Sequence, residues 1–251
     1  MIMVGTSGWH YEHWRGPFYP PDLPAKRFLS FYQEHFHTVE INSSFYRLPS
    51  EAALWAWRQT VGPGFIFAVK ASRVITHLKK LKDVGAALTT FLDRISLLGQ
   101  SLGPILLQLP PRFRFQAERL ETFLAALPST YRFALELRDP SWLVPEAFDL
   151  LRRYQAALCL YDLAGRQSPL EVTSDFVYVR LHGPGGAYQG NYSTASLLAW
   201  TEYFQTWEAK GLDVYCYFDN DEAGYAAHNA LTVLDLLAGA RQPSGPPAAK
   251  Q

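Results

Sequence analysis

The segment Phe133-Ala134-Leu135-Glu136-Leu137-Arg138 decides how this chain reads. It is short and apolar like a strand, yet it carries two charges. Side chains alternate between the two faces of a strand, so Leu135 and Leu137 share one face and Glu136 and Arg138 the other. The same design recurs in Val39-Glu40-Ile41-Asn42, Phe67-Ala68-Val69-Lys70, Leu106-Leu107-Gln108-Leu109-Pro110 and Tyr178-Val179-Arg180-Leu181-His182. In each, aliphatic residues alternate with polar ones that gather toward the C-terminal end. Several strands directing charge to one place predict a constructed site.

Strands are expected near 2–6, 38–42, 65–70, 104–109, 132–137, 157–161, 176–182 and 213–218. Helical patterns fall between them, at 25–36, 50–60, 83–101, 116–126, 145–154, 194–209 and 223–237. Ser50, either Ser193 or Thr194, and Asp221 sit where N-caps belong. Eight strand–helix alternations in about 240 residues predict an α/β fold, a (β/α)₈ TIM barrel, rather than a doubly wound sheet. Between the sixth and seventh strands only residues 163–175 remain, interrupted by Gly165 and Pro169, so a degenerate connection is expected there. The barrel is expected to occupy residues 1–238. Residues 239–251, rich in Gly, Pro and Ala, read as a disordered tail. Residues 7–24 form an aromatic, proline-rich loop.

The chain has 251 residues, 48% of them hydrophobic, enough for a substantial core. Formal net charge is zero and the pI is about 7.1, which argues against a broad nucleic-acid footprint. Cys159 and Cys216 lie in apolar strand-like runs and read as small core residues, not as nucleophiles or a disulfide. The N-terminus enters a strand at once, without the pattern of a signal peptide, and no apolar run is long enough to span a bilayer. A cytoplasmic protein with no membrane partner is the resulting expectation. The sequence carries no feature that fixes an oligomeric state.

In a TIM barrel the active site lies at the C-terminal ends of the strands. Strand two would send Glu40 and Asn42 there, strand three Lys70, strand four Gln108, and strand five Glu136 and Arg138. Strand six would send Asp162, and strand seven Arg180 and His182. In strand eight, Val214 to Asp221, either Asp219 or Asn220 could point inward. A single buried ion pair is most simply structural. Six or more ionisable groups at the catalytic end are not, because desolvation costs several kcal/mol per ion and a stability-driven core would use aliphatic residues.

Gly5-Thr-Ser-Gly-Trp9, Phe18-Tyr-Pro20, Thr38-Val-Glu-Ile-Asn-Ser-Ser-Phe-Tyr-Arg47, Ile75-Thr-His77, Leu107-Gln-Leu-Pro-Pro111, Glu136-Leu-Arg138 with Ser141-Trp142, Tyr178-Val-Arg-Leu-His-Gly183 and Tyr217-Phe-Asp-Asn-Asp221 follow one another in order. Together they resemble the YecE-like family of uncharacterised proteins, domain-of-unknown-function family 72, over roughly residues 2–237. The resemblance implies a TIM barrel and supplies no established reaction. This chain departs from the family's usual pair of asparagines after the strand-eight Tyr-Phe: the first is Asp219.

The first chemical expectation is an enzyme acting on a small anionic molecule, phosphorylated or carboxylated. Lys70, Arg138, Arg180 and His182 would form a cationic cradle, with Glu40 and Glu136 as general acid and base. Lys70 and His182 join that catalytic set. Asn42, Gln108, Asn220, Tyr46, His77, Trp9 and Trp142 would contact the ligand, and Trp14 could help to wall the site. No cofactor is predicted. The alternative is a metal-dependent hydrolase or phosphodiesterase with a divalent ion on Glu136, Asp162 and His182, although the neighbouring arginines oppose a dication. A glycosidase using Glu40 and Glu136 would need carboxyl groups about 5–5.5 Å apart for retention or roughly 6.5–9.5 Å for inversion. A non-catalytic ligand- or nucleic-acid-binding module would rest on loop 7–24 and on Lys79, Lys80 and Lys82, which more simply form a solvated helix edge. Ser7, without a histidine partner, reads as a turn residue.

Overall fold

The computed structural model describes residues 1–241. Its strands are Ile2–Thr6 (β1), Thr38–Ile41 (β2), Ile66–Lys70 (β3), Leu102–Gln108 (β4), Phe133–Glu136 (β5), Ala157–Leu163 (β6), Arg166–Gln167 (β7), Phe176–Leu181 (β8) and Asp213–Phe218 (β9). All but β7 run parallel, in the order β1-β9-β8-β6-β5-β4-β3-β2. The short β7 folds back antiparallel on β6. That hairpin and the loop after it replace the missing crossover helix, as Gly165 and Pro169 foretold.

The barrel is nearly closed between β1 and β2. There the ladder shrinks to one parallel bridge, Ser7 with Glu40, whose carbonyl accepts the Gly8 N–H at 2.9 Å. Below it the Tyr32 phenol takes the place of a ladder bond. It accepts the Thr6 N–H at 2.9 Å and donates to the Thr38 carbonyl at 3.1 Å. Gly5 allows this approach, since a Cβ there would lie 2.2 Å from the Thr38 carbonyl oxygen.

Helices Phe28–Tyr32 (α1), Glu51–Thr60 (α2), Gly85–Ile95 (α3), Ala117–Ala125 (α4), Pro145–Arg153 (α5), Thr194–Ala209 (α6) and Tyr225–Arg241 (α7) alternate with the strands. Ser50 and Ser193 cap α2 and α6, accepting the N–H groups of Ala53 and Ser196 at 3.2 Å. Asp221 makes no side-chain cap, because a 3₁₀ turn with left-handed Ala223 (φ 52°) and Gly224 (φ 77°) separates it from α7. The pattern at 83–101 is likewise not one helix: α3 ends at Ile95, and left-handed Gly99 interrupts the 3₁₀ turns that follow. The pattern at 25–36 begins as a 3₁₀ turn, and its α-helical part ends at Tyr32. Helix α7 reaches Arg241, four residues beyond its expected end, and the rest of the expected tail, 242–251, lies outside the described residues.

Strand alternation splits the interior into two cores. Val39, Ile41, Leu135, Leu137, Val179 and Leu181 face outward and are buried under the helices. Ala68, Leu106, Ala134, Cys159, Tyr178 and Tyr217 face inward and fill the barrel. Both cysteines are free and buried, and burial holds their thiols well above the ordinary range. Among the described residues no helix is long and apolar enough to cross a membrane.

Candidate functional site

Above the apolar filling, the inward positions turn ionic. Arg180, fully buried on β8, is the hub. Its Nη1 donates to Glu136 Oε2 at 2.9 Å, and its Nη2 to Glu40 Oε1 at 2.8 Å, Asp219 Oδ2 at 2.9 Å and Ser7 Oγ at 2.9 Å. One guanidinium therefore binds three carboxylates, from β2, β5 and the residue after β9. Arg138 Nε donates to the other oxygen of Glu136. Glu40 also accepts from Ser7 Oγ, and from the Tyr178 phenol at 2.6 Å.

His182 joins two of these acids. Its Nδ1 lies 2.9 Å from Asp219 Oδ2, and its Nε2 lies 3.3 Å from Glu136 Oε1 and 3.1 Å from Arg138 Nη2. With Nδ1 donating to Asp219, Nε2 meets an acceptor in Glu136 and a donor in Arg138.

The electrostatics follow from this geometry. Burial opposes the charge on Glu136, but Arg138, Arg180 and His182 overcome it and hold the carboxyl well below its usual range. Burial likewise opposes ionised Asp219, which Arg180 and the His182 hydrogen bond keep low. Burial opposes the charge on Arg180 too, yet Glu40, Asp219 and Glu136 keep it firmly protonated.

Lys70 is the exception. It ends β3 on the inward face, 8% exposed, and its Nζ has no hydrogen bond or ion pair among the described residues. The ammonium rests 4.6 Å from the centroid of the Phe45 ring. Burial, reinforced by Arg180, lowers its pKa to about 8 against the pull of Glu40, Glu136 and Asp219. His77 packs edge-on against the same Phe45 ring at 4.8 Å, and its pKa is also lowered, by burial and then by Lys70 and Arg138.

Gln108 Oε1, Asn42 Oδ1 and Arg180 Nε are buried without a hydrogen-bond partner among the described residues, as are Asp162 Oδ1 and Asn220 Oδ1 away from the cluster. Asn42 and Trp9 meet in a cavity of about 420 Å³ lined also by Tyr11 and Trp57, with Trp9 edge-on to Trp57. Tyr46 is 71% exposed and touches Phe45 edge-on.

Several expectations need correction. Asn220 turns away from the cluster: its amide donates to the Gly190 carbonyl at 2.8 Å and to Asn229 at 2.9 Å, and Asp219 takes the inward position. Asp162 belongs to the outer face. Tyr161 is the inward residue at the end of β6, lying under the Arg138 guanidinium at 5.5 Å. Trp142 and Trp14 are buried packing residues whose indole N–H groups donate to the carbonyls of Phe113 and Asp221.

The roles of the charged groups change too. Arg180 is no open cradle, since carboxylates surround it. Glu40 and Glu136 are fully buried, and their oxygens are hydrogen-bonded within the cluster, so neither presents a free carboxylate oxygen. Glu136, Asp162 and His182 do not converge as a ligand set, and among the described residues no group of three or more His, Cys, Asp or Glu is arranged to hold a metal ion. On the loop after β3, Lys79 bonds the Asp83 carbonyl at 2.7 Å and Lys80 lies over Phe113.

Ser7 and Tyr178 also belong to the network, although neither was expected there. Ser7 follows Met3 and Gly5 at a spacing of two, and Tyr178 precedes Arg180 by two, so strand alternation carried the signal for both.

These features define a (β/α)₈ barrel with a buried ionic cluster at the C-terminal ends of its strands. The chain belongs to the DUF72 family, described as "Protein of unknown function DUF72", which matches residues 3–251. It is similar to the UPF0759 protein YecE of Escherichia coli K12, 30% identical over 143 residues, or 57% of this chain. That alignment covers 50% of YecE, so the chain spans about half the length of this curated relative. The UPF0759 protein YunF of Bacillus subtilis is 26% identical over 94% of this chain and 95% of its own. Among solved structures, a DUF72 family protein of Thermotoga maritima superposes with a TM-score of 0.86 at 30% identity, covering 95% of this chain and 99% of its own.

Proposed function

We propose that this barrel is an enzyme for a small anionic molecule, phosphorylated or carboxylated, bound at the C-terminal mouth. One observation carries the reading: Lys70 is a nearly buried cation with no anion of its own among the described residues, beside three carboxylates already engaged by other groups. An anionic ligand supplies the missing partner. Arg138, held by Glu136, presents a largely buried guanidinium on the same rim. The orphaned Gln108 and Asn42 oxygens accept hydrogen bonds from the ligand's hydroxyl or amino groups.

In this reading Glu40, Glu136 and Arg180 are positioning residues rather than acid and base. Proton transfer falls to Lys70, whose lowered pKa suits it to exchange a proton near neutrality.

The test is thermal unfolding against a panel of sugar phosphates, organic phosphates and carboxylates. Ligands that raise the melting temperature of the parent protein should lose that effect in Arg138→Met and Lys70→Met. If no anion stabilises the parent, the reading fails.

A further inference from the structure

We infer that Lys70 is a nucleophile that condenses with a small carbonyl compound bearing a carboxylate or phosphate, forming a Schiff base. The inference rests on the anion reading above and narrows its substrate class.

A lysine that attacks a carbonyl needs a free lone pair, a fixed position and an environment that disfavours its ammonium form. Lys70 meets each need. No acceptor holds its Nζ among the described residues, while every carboxylate of the cluster is bonded to Arg180. Its backbone is pinned on both sides: Ser44 Oγ donates to the Lys70 carbonyl at 2.6 Å, and Ala71 N–H donates to Leu106 at 2.8 Å. Beneath it lie the inward apolar residues Ala68 and Leu106, and beside it the Phe45 face. The lowered pKa agrees with that setting.

A buried, unpaired lysine costs stability, and that cost is repaid when the amine must be neutral at the moment of attack.

The step balances with one proton drawn from solvent. The neutral Nζ lone pair forms the N–C bond as the carbonyl π pair moves to oxygen. One Nζ proton then passes to that oxygen and gives the neutral carbinolamine; Asp219, the cluster carboxylate that keeps some exposure (5%), stands in electrostatic reach of Lys70 to relay it. A second proton, from solvent, reaches the hydroxyl, which leaves as water while the nitrogen lone pair forms the C=N bond of the protonated imine. One water is released and no oxidation state changes. Arg138 is left to bind the substrate's anionic group, which would hold the carbonyl over Lys70.

The test is reductive trapping of the full chain with sodium cyanoborohydride and pyruvate, or with dihydroxyacetone phosphate, mapped by peptide mass spectrometry. The expected result is a reduced adduct on Lys70 and none on the exposed Lys79, Lys80 and Lys82. Preference between the two probes separates a carboxylate from a phosphate substrate. Lys70→Arg, which keeps the charge, should abolish the adduct, and Lys70→Met serves if the arginine variant does not fold. Thermal stabilisation by either probe with no adduct on Lys70, or an adduct spread evenly over the surface lysines, overturns the Schiff base and leaves the anion reading standing. Equal trapping of uncharged glycolaldehyde, unaffected by Arg138→Met, upholds the Schiff base and removes the anion reading.

Discussion

Arg180 and Lys70 carry the same charge at the same end of the barrel, in opposite circumstances. Arg180 has three carboxylates, and Lys70 has none of its own among the described residues. The folded state therefore favours neutral Lys70, with a pKa lowered from 10.5 to about 8. Between those values the unfolded chain binds the extra proton, so this residue makes stability rise with pH from about 8 to 10.5. Below that window the buried ammonium costs about 3 kcal/mol, taking 1.36 kcal/mol per unit. Lys70→Met should accordingly stabilise the protein at pH 7 by up to about 3 kcal/mol, the gain vanishing near pH 10.5, as urea unfolding at several pH values would measure. A loss of stability at pH 7 would contradict the unpaired ammonium. Glu136→Gln should act the other way, costing about 3–5 kcal/mol because Arg138 and Arg180 lose the counter-charge they share. The same urea titration reads it, and an unchanged midpoint would mean that the pair is not desolvated.

At the level of elements, the weakest closure lies between β1 and β2, where a phenol stands in for backbone pairing. Tyr32→Phe removes the acceptor of the Thr6 N–H and the donor to Thr38 at almost no change in volume. The expected cost is about 1–3 kcal/mol, that of leaving buried polar groups unsatisfied. Hydrogen exchange should show the Thr6 amide opening before those of β4 and β5. Protection equal to the parent's would mean that the seam is held by packing alone. The capping serines of α2 and α6 were readable in advance because a cap is a local bond. The ends of α1 and α3 were not, since apolar spacing continues past the points where the backbone leaves the α conformation.

For the whole molecule, the cluster ties strands from around the ring to one guanidinium, so its charges and the barrel should fail together. Glu136 and Asp219 have folded pKa values below their ordinary ones, 4.5 and 3.8. Their contribution is fully present above those values and is lost as pH falls through the lower folded ones. Acid unfolding followed by circular dichroism should be a single transition that begins below about pH 4.5, with a shallower pH dependence in Glu136→Gln. A transition complete near neutrality would contradict the depressed carboxyls. The sequence by itself determined the barrel, the absent helix after β6, and the inward direction of Glu40, Lys70, Glu136 and Arg180. Strand alternation is a property of the local backbone and needs no knowledge of neighbours. The same alternation, with Leu158 and Leu160, keeps Asp162 on the outer face, against the expectation that its charge would place it at the mouth. Only the tertiary structure decided which charges pair. Glu40 and Arg180 meet across 140 residues of chain, Asp219 rather than Asn220 turns inward after β9, and Lys70 is left alone. Those outcomes depend on the reach of one guanidinium across a closed ring, a distance that no local pattern encodes.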